Sequence, residues 1–238
     1  MAEEKSERGA RRRHLRAAAP QVITGARVAL GAAAVVATLD GQLYRGAALI
    51  TLGAATDIVD GYLARRLKVA SAFGALFDTF SDYLCFVVAP WALVRALVAA
   101  GGGLLHEALL GLPLLTGALR YARNSLLIVG HGGEVRELPG LATVFFAFLP
   151  VAAVFLDAPA LVGAGALSAT LTLFVVLFSL LMVAPVRYPK LTAVRGMPAA
   201  VLLGLVLMPF FGTRPLAAVM AVAGLLYVAL APAFSARR

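Results

Sequence analysis

Four aspartates lie in two neighbouring apolar stretches of the sequence, at spacings that could build one metal site. Asp57 and Asp60 are three residues apart, and Asp78 and Asp82 are four residues apart. In α-helices these spacings place the members of each pair on one helix face. A charged carboxylate left unpaired inside an apolar helix is costly, so the sequence predicts offsetting cations. Oxygen ligands suit Mg²⁺ or Mn²⁺, and a pair of such ions typically neutralises phosphate oxygens and a leaving group.

The residues around the first aspartate pair indicate a site for a nucleotide or a phosphate. Gly61, Ala64 and Arg65 continue the helix face that carries the acids. Gly61 and Ala64 leave a shallow wall where a flat nucleotide could approach the backbone, and Arg65 could bind phosphate or cap the helix. The short stretch 66–70 makes the two acidic helices antiparallel neighbours. At about 1.5 Å per residue, both acidic faces then meet at one depth.

The elements that must position these residues are transmembrane helices. Hydrophobic residues make up 61% of the 238-residue chain and charged residues only 14%, whereas soluble domains carry about 25% charged residues. The apolar residues fall in blocks of roughly 18–25, the length of a membrane-crossing helix. We therefore expect an all-α integral membrane protein with about eight spans, within a range of six to eight. The candidate spans cover residues 22–38, 43–65, 72–99, 104–128, 140–156, 160–185, 197–211 and 215–234.

The distribution of basic residues predicts the orientation in the membrane. In the eight-span arrangement, every Lys and Arg except Arg45, Arg95 and Arg214 falls on the side of the N-terminus. The positive-inside rule then places both termini in the cytoplasm and the acidic site at the cytoplasmic side of helices 2–4. We expect residues 1–19 to form a basic cytoplasmic tail without signal-peptide pattern, and residues 20–238 to form a single transmembrane catalytic domain.

The net charge of +9 does not indicate a nucleic-acid partner. The basic residues lie beside apolar segments, and no RNA- or DNA-binding motif accompanies them. Basic residues in this position follow the positive-inside bias and attract anionic lipid, so membrane lipid is the expected partner.

The two acidic segments together resemble the signature of the CDP-alcohol phosphotransferases, D-x2-D-G-x2-A-R-x8-G-x3-D-x3-D. The fixed positions are met by Asp57, Asp60, Gly61, Ala64, Arg65, Gly74, Asp78 and Asp82. The number of spans and the early Pro20 and Thr24 extend the resemblance beyond the signature. It implies a membrane transferase, typically a homodimer, that moves a substituted phosphate group from a CDP-linked lipid to a small polar alcohol.

The resemblance also implies a role for each matching residue. It implies that Asp57, Asp60 and Asp78 bind metal, namely two ions of Mg²⁺ or Mn²⁺. Asp82 would accept the proton of the attacking hydroxyl and would also be able to contact metal. The positions that contact the cytidine diphosphate of the CDP-lipid are Gly61, Arg65 and Ser71.

Later segments bear on the identity of the acceptor alcohol. Residues 120–124, 138–140 and 187–189 resemble the R-x-A-R-F-N, G-L-P and R-Y-P segments that occur in this order in membrane-type phosphatidylserine synthases. Two features depart from that pattern, because Asn124 directly follows Arg123 and the second segment reads Leu-Pro-Gly. The resemblance favours serine as acceptor and CDP-diacylglycerol as donor. Glycerol phosphate and inositol phosphate remain the alternatives.

Two arginines fall near the inner end of the fourth span, at the predicted depth of the aspartates. Arg120 and Arg123 could hold the carboxylate of serine or the phosphate of a phosphorylated alcohol. They would equally serve as positive-inside anchors or as ion-pair partners of the aspartates.

Two other function classes make different predictions. A transporter or cation channel would distribute ionisable residues across the membrane, whereas these acids cluster towards one side. A noncatalytic scaffold would be expected to have lost at least one acid of the signature, and none is missing. The sequence therefore favours an enzyme of the cell (inner) membrane with several spans.

Overall fold

The described part of the chain is helical. The computed structural model describes residues 2–67, 71–98, 102–130 and 139–186, with 214, 217, 218 and 222 in addition. Within these ranges the chain forms helices and no strand, as the sequence predicts. The elements are α1 (Ala2–Leu39), α2 (Leu43–Leu67), α3 (Ala72–Tyr83), a π-helical turn (Leu84–Val88), α4 (Ala89–Leu97), α5 (Gly103–Gly130), α6 (Val144–Phe155), α7 (Ala158–Val162) and α8 (Ala164–Val183).

Among the described residues, three helical stretches are long and apolar enough to cross a membrane. They are Pro20–Leu39, Phe73–Leu97 and Ala164–Val183. Each coincides with a predicted span, which supports a protein that crosses the membrane several times. The second stretch runs through α3, the π-helical turn and α4 without a break, so the aspartates of α3 belong to a continuous membrane-length helix.

The other predicted spans have different outcomes. The spans 43–65 and 104–128 are helical throughout, as α2 and α5. The span predicted at 140–156 is helical only from Val144, because Gly140 has a φ of 88° and its N–H donates to the carbonyl of Val186. The last two predicted spans lie almost wholly outside the described residues, so the total of about eight spans stays a prediction.

The hydrophobic core has two parts. The first lies between α1, α2, the π-helical turn, α4 and α6, around Ile50, Phe86 and Leu93. The second lies between α4, α5, α6 and α8, around Phe146 and Leu171. The first part fixes α1 and α2 against the helix that continues from α3, and so sets the distance between the elements that carry the acidic residues.

Three helices pack closely together at Cys85, which is fully buried and not in a disulfide. A Cβ atom on Gly31 of α1 would lie 3.2 Å from the Cα atom of Cys85, and a Cβ atom on Gly53 of α2 would overlap its Sγ atom. Glycine at both positions therefore allows α1 and α2 to pack directly against the π-helical turn. Cys85 therefore serves as a packing residue at the contact of the three helices.

Candidate active site

The four signature aspartates come together between the C-terminal half of α2 and α3. Asp57 and Asp60 lie on α2, and Asp78 and Asp82 lie on α3. Carboxylate oxygens of the first three, one from each residue, all lie within 4.8 Å of one another. Asp82 joins the group because it shares its cationic partner, Arg27, with the other three. The convergence predicted from the helix spacings is thus present in the structure.

Arg27 of α1 lies at the centre of this cluster, with none of its side chain exposed to solvent. Its Nη1 atom donates to Asp57 and, at 2.5 Å, to Asp82. Its Nη2 atom donates to Asp60 at 2.8 Å and to Asp78. Each Nη atom therefore links one carboxylate of α2 to one carboxylate of α3. Charge-assisted hydrogen bonds of this kind are short and directional, so Arg27 holds the two acidic faces together.

The packing layer at Cys85 explains why these groups meet. Arg27 lies one helical turn before Gly31, and Asp57 lies one turn after Gly53. Asp82 lies three residues before Cys85 on the same helix. Because the three helices touch at that layer, side chains one turn away reach a common point.

Solvent access differs strongly among the four carboxylates. The side chain of Asp60 is 6% exposed, that of Asp82 23%, that of Asp57 36% and that of Asp78 45%. Asp60 also accepts a hydrogen bond of 3.1 Å from the Thr24 hydroxyl group. This bond holds the Asp60 carboxylate on the side of the cluster that is closed to solvent. The cluster is therefore open along Asp57 and Asp78, where a ligand can reach carboxylate oxygens.

The chemistry of the cluster fits a divalent metal ion. Its donors are carboxylate oxygens, the ligands that Mg²⁺ and Mn²⁺ prefer. Among the side chains that the structure describes at the cluster, four carboxylates face a single guanidinium group. Asp57, Asp60 and Asp78 are the residues whose oxygens are close enough to hold one ion together.

The positions predicted to contact the CDP-lipid lie towards the C-terminal end of α2 and at the N-terminal end of α3. Gly61 directly follows Asp60 on α2 and is half-buried. Ser71 is the N-cap residue of α3, and its hydroxyl oxygen accepts a hydrogen bond of 3.0 Å from the N–H of Gly74. Arg65 belongs to the last turns of α2, but its side chain lies outside the described residues.

α5 packs beside the cluster and carries the side chain of Arg120 towards Asp82. The hydroxyl group of Tyr83 donates to the carbonyl of Leu114 at 2.8 Å, and its ring meets that of Tyr121 edge-on at 6.0 Å. These contacts tie α3 to α5 beside the cluster. Arg120 is 7% exposed and close enough to Asp82 for their charges to interact.

Asn124 lies one helical turn beyond Arg120 and is only 3% exposed. Within the described part of the chain, neither its Oδ1 nor its Nδ2 atom has a hydrogen-bond partner, and the Nε atom of Arg120 has none either. Buried polar groups in folded proteins are almost always paired. The unpaired amide of Asn124 and the unpaired Nε atom of Arg120 therefore indicate a place for a polar ligand on this part of α5.

Arg123, the other arginine singled out on α5, makes contacts of another kind. Its Nη1 atom donates to the carbonyl of Val183 at 3.2 Å, and its Nη2 atom donates to the carbonyl of Pro139 at 2.8 Å. These bonds join α5 to the end of α8 and to the segment before α6. Arg123 is thus engaged with the backbone, whereas Arg120 is not.

Sequence reasoning missed two residues of this site. Arg27 counted only as one of the positive charges on the side of the N-terminus, and it was not considered as a partner of the four acids. Its position inside an apolar span, one turn after Thr24, was the available signal, because ionisable residues in such spans are usually functional. Asn124 was noted only as a departure from a pattern, and no sequence feature shows that its amide is buried and unpaired.

Comparison with known proteins adds independent information. The family model described as CDP-alcohol phosphatidyltransferase matches residues 17–130, a range that includes Arg27, the four aspartates and Asn124. The CDP-diacylglycerol–serine O-phosphatidyltransferase of Helicobacter pylori (strain ATCC 700392 / 26695) is 28% identical over 206 residues, which cover 87% of this chain and 86% of that protein. The archaetidylserine synthase of Methanothermobacter thermautotrophicus is 31% identical over 187 residues, which cover 77% of this chain and 73% of that protein.

A shorter match involves a different acceptor. The CDP-diacylglycerol–glycerol-3-phosphate 3-phosphatidyltransferase of Pseudomonas fluorescens is 47% identical over 47 residues, which cover 20% of this chain and 24% of that protein. Similarity over most of the chain is therefore to proteins named for serine transfer.

Proposed function

The chain belongs to the CDP-alcohol phosphatidyltransferase family, and we propose that it transfers the phosphatidyl group of CDP-diacylglycerol to L-serine. The products are phosphatidylserine and CMP. Family membership makes the protein a transferase of substituted phosphate groups. The observation that carries the proposal is the convergence of the four signature aspartates on one cluster. The serine-named relatives that match most of the chain support the choice of acceptor.

In the proposed reaction, the serine hydroxyl oxygen attacks the β-phosphorus of CDP-diacylglycerol. A new oxygen–phosphorus bond forms, and the bond between that phosphorus and the bridging oxygen breaks. CMP departs with the electron pair of the broken bond. Asp82 accepts the hydroxyl proton, a role for which it is suited because, of the four acids, it is the one whose charge interacts with that of Arg120 on α5.

The remaining acids have a binding role in this proposal. Asp57, Asp60 and Asp78 would hold Mg²⁺ or Mn²⁺, proposed as two ions, and Asp82 would add a further ligand. Bound metal supplies positive charge that neutralises the diphosphate and the departing CMP. The residues proposed to contact the cytidine diphosphate are Gly61, Arg65 and Ser71.

The acceptor is proposed to bind between Asp82 and α5. Arg120 can bind a carboxylate group, and the amide of Asn124 can hydrogen-bond to a carboxylate or an amino group. Arg123 supports this end of the site through its bonds to the carbonyls of Pro139 and Val183. L-Serine presents all the groups that these side chains can bind, together with the hydroxyl group that reacts.

A second candidate is the same transfer to a phosphorylated alcohol, such as glycerol phosphate or inositol phosphate. The short match to a glycerol-3-phosphate enzyme favours it, and Arg120 could bind a phosphate as well as a carboxylate. In either case we propose a homodimeric, multi-pass enzyme of the cell (inner) membrane. Its basic segment 1–19, its catalytic domain 20–238 and its cytoplasmic termini are part of the same proposal.

An acceptor screen tests the proposal. Purified protein would be incubated with CDP-diacylglycerol and Mn²⁺, with L-serine, glycerol phosphate, inositol phosphate or inositol in separate reactions. We expect phosphatidylserine as the main lipid product, identified by mass spectrometry. Product formed only with a phosphorylated alcohol would establish the second candidate, and no lipid product with any acceptor would reject both.

A further inference from the structure

Arg27 makes an unusual set of contacts for a single side chain. The two Nη atoms of a guanidinium group carry four hydrogens, and here each Nη atom bonds two carboxylates. The four partners are different residues, and they lie on two helices. Of the nitrogen atoms in this guanidinium group, the Nε atom is the one without a hydrogen-bond partner among the residues that the structure describes. Because the side chain is fully buried, these contacts replace water around its charge.

The same carboxylates are the donors for the proposed metal ions. Arg27 bonds one oxygen of each of Asp57, Asp60 and Asp78, the three residues whose oxygens cluster within 4.8 Å. A metal ion that takes up these carboxylates must share them with the guanidinium group or displace it. The two cations repel each other at such short range, so they compete.

The difference in exposure indicates which contacts change. Asp57 and Asp78 are the most exposed of the four acids, so an ion from solvent reaches them first. Asp60 is nearly closed to solvent and is also held by Thr24. The contact of Arg27 with Asp60 is therefore the one best protected against exchange.

We propose that Arg27 is a resident counter-cation of the active site. It holds the four carboxylates together while metal is absent, and it yields carboxylate oxygens, first those of Asp57 and Asp78, when metal binds. Arg27 is in this view a positioning residue that also lowers the affinity for metal. The inference rests on the metal site of the proposed function.

This role predicts effects of opposite sign on two measurable properties. Without Arg27, four carboxylates face one another without their shared cation, so the metal-free protein is less stable. The same change removes a competitor and its repulsive charge, so metal binds more tightly, by about tenfold or more. An arginine that only supported the local structure would not improve metal binding when it is removed.

The experiment uses the full-length chain in detergent, with Arg27→Met and Arg27→Lys as test variants. Arg45→Met is the matched control, because Arg45 lies at the far end of α2 and bonds the exposed side chain of Gln42. Mn²⁺ binding would be measured from the electron paramagnetic resonance signal of the free ion. Thermal unfolding would be followed with a chelator and with Mn²⁺.

We expect Arg27→Met to unfold at a lower temperature in chelator and to bind Mn²⁺ about tenfold more tightly. Lysine keeps the charge but cannot bridge four carboxylates, so Arg27→Lys should fall between Arg27→Met and the unmodified protein in both measurements. Arg45→Met should match the unmodified protein. If Arg27→Met does not fold, adding Asp82→Asn should restore folding by reducing the repulsion, and Arg27→Lys still reports on metal affinity.

Unchanged or weaker Mn²⁺ binding by the Arg27 variants would overturn the inference. Unchanged stability in chelator would overturn it as well. These outcomes leave the proposed function intact as long as the unmodified protein binds Mn²⁺. Failure of the unmodified protein to bind Mn²⁺ would instead reject the metal site itself.

Discussion

The contact between Gly53 and Cys85 allows a quantitative test of how the active site is positioned. A Cβ atom at position 53 would overlap the Sγ atom of Cys85, whereas its next neighbours, the Cγ atom of Arg27 and the Cβ atom of Cys85, lie at 3.9 Å. Gly53→Ala should therefore create one clash and no other. Overpacking a buried contact costs about 1–3 kcal/mol, and alanine in a helix regains up to about 1 kcal/mol relative to glycine. We expect a net loss of about 1–2 kcal/mol.

Removal of the sulfur atom should reverse this loss. Cys85→Ala alone leaves a small cavity and should cost about 1 kcal/mol. In the double variant, the methyl group of Ala at position 53 occupies space that the sulfur vacated, so the two changes should compensate by about 2 kcal/mol. Gly111→Ala is the control, because a Cβ atom there meets nothing within 4 Å.

The assay is unfolding by SDS titration in mixed micelles, with transferase activity measured in parallel. Because Asp57 lies one turn from Gly53, Gly53→Ala should also lower activity, and Cys85→Ala in the same chain should recover it. Additive stability losses, within about 0.5 kcal/mol, would refute the reasoning. They would mean that α2 and the π-helical turn do not close on each other at this layer.

Three further predictions concern the site and its orientation. Asp82→Asn should lower turnover by ~10²-fold or more but leave CDP binding, measured by calorimetry with Mn²⁺, largely intact. Asp57→Asn should weaken CDP binding as well. Equal losses of CDP affinity in the two variants would make Asp82 primarily a ligand. Asn124→Ala should raise the KM for L-serine with little change in the KM for CDP-diacylglycerol, and an unchanged KM for serine would remove this residue from the acceptor site. In a cysteine-free background, a cysteine at position 67 should react with a membrane-impermeant thiol reagent added on the cytoplasmic side. A cysteine at position 102 should react with the reagent added on the opposite side. Labelling of position 67 from outside would overturn the predicted orientation.

The sequence carried enough information for the helices and for the acid cluster. Fixed spacings place Asp57 and Asp60 on one face and Asp78 and Asp82 on another. The expected direct pairing of the two acidic helices is not what the described residues show, because α2 packs mainly against α1 and α6, whereas α3 packs mainly against α1 and α5. Helical periodicity is a local property, so it can be recognised in the sequence without knowledge of the tertiary structure. The boundaries were less accurate where backbone conformation decides them, as at Gly140, whose positive φ delays the start of α6.

The contribution of α1 could not be derived from local pattern. Arg27 is separated from its nearest partner in sequence by 30 residues, and its position depends on how α1 packs against the other helices. That packing depends in turn on the close contacts of Gly31 and Gly53 with Cys85. The unpaired state of Asn124 is likewise a property of the assembled core.

CMP release from CDP-diacylglycerol in the presence of L-serine tests most directly that the four aspartates form a metal-dependent transferase site. Purified protein would be assayed with Mg²⁺ or Mn²⁺, with excess chelator, and after metal is restored, alongside Asp78→Asn. The account predicts serine-dependent CMP release that disappears with chelator, returns with metal, and is absent in Asp78→Asn although that variant still inserts into membranes. Undiminished CMP release in chelator, or full activity of Asp78→Asn, would contradict it.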